Sequence, residues 1–81
     1  NEIIYYRIQI AASNKLLELK PYNFKGLKTV DVVKEGKIYK YLFGKHKTLE
    51  GANKSLKTAR ASGFNSSFVV RFQNNEIIRL N

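Results

Sequence analysis

Ile4-Tyr5-Tyr6-Arg7-Ile8-Gln9-Ile10-Ala11-Ala12 alternates in polarity, with Ile4, Tyr6, Ile8 and Ile10 on one side and Tyr5, Arg7 and Gln9 on the other. A period of two over this length is the mark of a strand with one buried face. The period changes after Ala12. Ser13 or Asn14 can cap a short helix carrying Leu16, Leu17 and Leu19, and Pro21 must end it, because a proline pushes the residue before it out of the helical region. After Gly26 the segment Leu27 to Lys34 is strand-like through Val30, Val32 and Val33, and Glu35-Gly36 reads as a tight turn into Lys37 to Phe43.

Thr48 is a suitable N-cap for a second helix, in which Leu49, Ala52, Leu56 and Ala59 fall within about 80° of arc at about 100° per residue. Gly63 supplies its stop. Ser66 to Gln73 reads as a strand with Phe68, Val70 and Phe72 on one side and Val69, Arg71 and Gln73 on the other. Asn74-Asn75 then leads into a last strand, Glu76 to Leu80. The order β-α-β-β-α-β plus one strand predicts an α+β fold, an antiparallel sheet with two helices on one face and its other face left for solvent or ligand. Residues 1–81 are expected to form a single domain, with a core at about 5–73 and a hairpin extension at 74–81. The start at Asn1 and the absence of methionine suggest a piece of a larger protein.

Composition narrows the function classes. Fifteen Lys and Arg against six Asp and Glu give a net charge of +9, a field that attracts polyanions: nucleic acid, anionic lipid or acidic cell-wall polymer. No apolar run is long enough for a membrane span, so no membrane insertion is expected. With no cysteine and a single histidine, His46, expected in a loop, neither a metal site nor an acid–base pair has its usual ligands. No cofactor is expected. Ser13, Ser62, Ser66 and Ser67 read as caps or turns. Gly44-Lys45 lacks the earlier glycine of a phosphate loop, since position 39 is Tyr.

Three stretches together resemble the sporulation-related repeat (SPOR) domain family. Tyr6-Arg7-Ile8-Gln9-Ile10-Ala11-Ala12-Ser13 is similar to its opening strand, where a glutamine sits between aliphatic residues. Ile38-Tyr39-Lys40-Tyr41-Leu42-Phe43-Gly44 is similar to its third strand, and Ser62-Gly63-Phe64-Asn65-Ser66-Ser67-Phe68-Val69-Val70 to its helix stop and last strand. The resemblance implies an RNP-like β-α-β-β-α-β fold whose sheet groove binds peptidoglycan glycan strands denuded of stem peptides. It also implies a place in the bacterial cell envelope, in the periplasm or septal cell wall. The module would be monomeric, and would target an attached enzyme, such as an N-acetylmuramoyl-L-alanine amidase, or a cell-division protein to sites of wall remodelling. The chain departs from the family pattern in its short first helix and in Lys45-His46, where a proline-aromatic pair is usual.

On this reading Gln9 points from the open face and offers donors and acceptors to sugar hydroxyls. Arg7, Lys40 and Arg71 are expected beside it, reading the lactyl carboxylate that loss of the stem peptide frees. Tyr5, Ile38 and Leu42 offer apolar faces for sugar rings, while Tyr39, Tyr41 and Phe43 belong to the core. Lys54 and Lys57, with Arg60 at the margin of the stripe, form a solvated helix face.

The second reading is an RNA-binding RNP-like domain. It asks for outward stacking aromatics on strands one and three, where the chain places Arg7, Gln9, Lys40 and Leu42, so no nucleic-acid partner is expected. An enzyme is disfavoured by the missing catalytic constellation. A protein-interaction domain using the exposed edge of Glu76 to Leu80 is the fourth reading.

Overall fold

A computed structural model describes residues 4–16, 24, 26–27, 29–74 and 76–80. They form β1 (Ile4–Ser13), β2 (Val30–Glu35), β3 (Ile38–His46), α1 (Leu49–Ala61), β4 (Phe68–Gln73) and β5 (Glu76–Arg79). The strands make one five-stranded sheet in the order β2-β3-β1-β4-β5, and every neighbouring pair is antiparallel. This is a small α+β fold with one helix among the described residues packed across β1, β3 and β4. The expected first helix falls mostly outside them. Within them, Ser13 closes β1 and its Oγ accepts the Lys15 backbone N–H at 3.1 Å.

The core lies between sheet and helix. Ile8, Ile10, Tyr41 and Val69 from three strands meet Ala52 and Ala59 of α1, and Tyr6, Tyr39, Phe43 and Leu56 pack against them. Small residues on the helix let the sheet's large ones come close. Phe24 also enters this core, 1% exposed and tilted against Tyr41 at 5.2 Å between ring centroids. Burying a side chain of this size contributes about 1.5–3 kcal/mol. Leu49 is the exception in the helix stripe, being 47% exposed at the first turn.

Local signals explain the ends. Thr48 caps α1 by accepting the Gly51 N–H at 3.1 Å. Gly63, at φ 111°, closes the other end: its N–H reaches the Arg60 carbonyl and that of Phe64 reaches Ala59, the paired bonds of a Schellman motif. The β2–β3 loop is Gly36-Lys37, one residue beyond the expected Glu35-Gly36, because Glu35 still pairs with Ile38 and the positive φ of 64° falls on Gly36. β3 runs past the expected end at Phe43 to His46, through a bulge opposite Arg7.

Candidate functional site

Residues directly opposite in an antiparallel pair share a face, so the register assigns every strand position to one side of the sheet. Gln9 pairs with Leu42 on one flank and Phe68 on the other, and Leu42 pairs with Asp31. The next row along the strands is Arg7, Val70 and Arg79, and the one after that is Tyr5, Phe72 and Ile77. All of these lie on the face opposite Ile8, Tyr41 and Val69, the face that α1 does not cover. Rows two residues apart are about 7 Å apart along a strand, so Gln9 and Tyr5 are separated by about 14 Å.

Three of the expected site residues are placed differently. Arg71 pairs with Tyr6, not Arg7, and therefore lies on the helix side, where its Nε is buried without a hydrogen-bond partner among the described residues. The register with β1 overrides the tendency of a charge to face outward. Leu42 is 0% exposed and offers no surface to a sugar ring. Arg7 is on the expected face but is 6% exposed; its guanidinium donates to the backbone carbonyls of Gly44 and Leu42 and pairs with Asp31 at 2.8 Å. It stitches the bulge of β3 to the start of β2 and so is already committed.

The other positions stay on or near the surface. Lys40 pairs with Glu35 at 2.6 Å, Ile38 is 38% exposed, and Gln9 and Tyr5 are half-buried. Sequence reasoning missed Phe68 and Phe72, which join Tyr5 as three aromatic rings on this face. Two of the three carry a cation: Lys45 Nζ lies 4.3 Å from the Tyr5 centroid and Arg79 lies 4.0 Å from that of Phe68. The register with β1 is the missing information, because Phe68, Val70 and Phe72 form the wholly apolar parity of this strand and Val69 and Arg71 the mixed one, so alternation alone turns the aromatic side toward the core.

His46 is not in a loop but at the end of β3, with its Nε2 2.6 Å from Ser55 Oγ on α1. A Cβ built on Gly44 or on Gly51 would come within 3.0 Å of the ring, so two glycines make room for it. They were the available sequence signal for this contact. Nucleophilic catalysis needs a base oriented by a third group, and among the described residues no carboxylate bonds to His46. The pair fastens the bulge to the helix beside a notch of about 530 Å³ that Arg7, Asp31, Lys45 and His46 help to line. No group of three or more metal-ligating side chains exists among the described residues, and no helix of the described residues is long and apolar enough to cross a membrane.

Comparison with protein-family models, curated proteins and solved structures finds no match.

Proposed function

We propose that the chain is a non-catalytic peptidoglycan-binding module of the SPOR kind, and that the sheet face α1 does not cover holds glycan strands denuded of stem peptides. The observation that carries this reading is the Gln9 row. A half-buried amide sits between Leu42 and Phe68, with the Tyr5 and Phe72 rings about 14 Å away along the strands. Alternating neutral hydrogen-bonding groups and ring faces suit a sugar chain, whose pyranose units present hydroxyls at their edges and C–H groups on their faces. The strand order supports an RNP-like arrangement, since β3 lies between β2 and β1 and β1 lies between β3 and β4.

Aromatic rings beside cations also support a second reading, an RNA-binding surface. The charge on this face argues for glycan. Arg7 and Lys40 are each neutralised by an acid of β2, Asp31 and Glu35, and those carboxylate side chains remain 64% and 46% exposed. A phosphate backbone crossing β2 would meet them, whereas a sugar hydroxyl can donate to them. The carboxylate-reading role expected of Arg7, Lys40 and Arg71 passes on this proposal to Lys45, held over Tyr5.

Backbone amide NMR during titration with soluble, amidase-stripped glycan tests the placement. Shifts are expected in Tyr5, Gln9, Phe68 and Phe72 and not along the exposed side of α1. Shifts led by Lys54 and Lys57 on that helix would instead mark a non-specific basic surface.

A further inference from the structure

α1 lies over β1, β3 and β4 and leaves β5 projecting beyond it. Between the helix flank and β5 runs a cleft of about 440 Å³. Its helical wall is the stripe Leu49, Asn53, Leu56 and Arg60, an i, i+4, i+7, i+11 series that extends about 16 Å at about 1.5 Å per residue. Leu80 lies across from this stripe, and Arg79, stacked on Phe68, closes the same end as Arg60, whose Nη2 donates to the Ser67 carbonyl at 3.0 Å. The lining therefore has apolar walls, two guanidinium groups beside consecutive residues, Ser67 and Phe68, and no acid among the described residues.

The cleft also borders an open sheet edge. β5 pairs only with β4 among the described residues, so its outer backbone groups have no strand partner there. An edge strand beside an apolar cleft accepts an added strand: main-chain hydrogen bonds supply affinity, and alternate side chains fill the cleft. Leu49, exposed at the cleft's far end, gives a large side chain somewhere to rest.

We propose that β5 and the α1 cleft form a docking site for an extended acidic peptide of a partner protein, which adds a strand to β5, seats an apolar side chain against Leu49, Leu56 and Leu80, and places a carboxylate between Arg60 and Arg79. The two guanidinium groups, with no acid beside them among the described lining residues, select an anionic partner, and the open edge selects an extended one. The cleft meets the Gln9 row at Phe68, the ring on which Arg79 stacks, but peptide docking there does not depend on glycan binding.

The test is NMR titration of the full chain with the peptide acetyl-Glu-Ile-Thr-Leu-Glu-Val-amide. Two controls accompany it, one with Lys for both Glu and one N-methylated at alternate residues to remove backbone donors. The acidic peptide is expected to shift Glu76 to Arg79 together with Leu49, Asn53 and Leu56, and each control is expected to bind at least about tenfold more weakly, about 1.4 kcal/mol. Arg79→Gln and Leu49→Ser, both at exposed positions, should each weaken binding several-fold with unchanged thermal unfolding. Equal binding of the acidic and lysine peptides, undiminished binding of the N-methylated one, or no shift at the cleft at millimolar peptide would overturn the proposal. So would concentration-dependent dimerisation of the chain alone that shifts the same resonances, since a second copy would then be the occupant.

Discussion

The Arg7 guanidinium lies 2.8 Å from Asp31 and is the buried member of an unequal pair, for Arg7 is almost fully enclosed while Asp31 is mostly in solvent. The two should respond differently to substitution. Arg7→Ala leaves the Leu42 and Gly44 carbonyls without their donor, and orphaned buried polar groups cost about 1–3 kcal/mol. Asp31→Asn removes an ion pair screened on one side and should cost less than about 1 kcal/mol. Urea unfolding of the two variants checks this, and equal losses would show that Arg7 is held by charge alone.

Gly44 and Gly36 both have positive φ, 73° and 64°, but only Gly44 is crowded. A side chain in the left-handed region costs about 1–3 kcal/mol. At Gly44 a Cβ also meets the His46 ring at 3.0 Å and Ser55 Oγ at 3.2 Å, whereas at Gly36 nothing among the described residues lies within 4 Å. Gly44→Ala is therefore expected to lower the unfolding temperature more than Gly36→Ala, and the excess should shrink in the Ser55→Ala background.

Thr48→Ala removes the cap of α1 and should cost about 1 kcal/mol, with no change in the amide shifts of the Gln9 row. Denaturant titration and an amide spectrum of the same sample measure both halves of this expectation.

On the face that α1 does not cover, Gln9→Ala should weaken binding of stripped glycan by about 0.5–1.5 kcal/mol without changing the slope of affinity against salt, because the lost partner is neutral. Phe72→Leu keeps most of the bulk and removes the ring, and should weaken binding by a similar amount, about 0.5–1.5 kcal/mol. Arg71→Gln should leave affinity unaltered, since Arg71 lies on the opposite side of the sheet. Calorimetric titration at several salt concentrations separates the three, and a larger loss for Arg71→Gln than for Gln9→Ala would refute the face assignment.

Much of the architecture is legible in the residues, and the reason differs by element. β1 is readable because Ile8 and Ile10 alternate with Arg7 and Gln9, and α1 because Thr48 and Gly63 mark its ends around the small-residue stripe of Ala52 and Ala59. β4 is not, because Phe68, Val70 and Phe72 make its apolar parity and alternation points them at the core, and only the Tyr6 to Arg71 pairing turns that side away from α1. The burial of Arg7 is also hidden. It depends on a bulge at Gly44 and Lys45, and a bulge is a property of two paired strands that neither strand shows by itself. The Ser55 to His46 contact joins different elements and is foreshadowed only by the glycines that accommodate it.

Glycan binding is decided by cosedimentation of the chain with intact sacculi and with sacculi stripped of stem peptides by an amidase, at matched glycan and with RNA as competitor. Retention on stripped sacculi is expected, with much weaker retention on intact ones, little displacement by RNA, and loss of the preference in Gln9→Ala. Equal retention on both sacculi, or displacement by RNA at equimolar nucleotide, would contradict a stripped-glycan module.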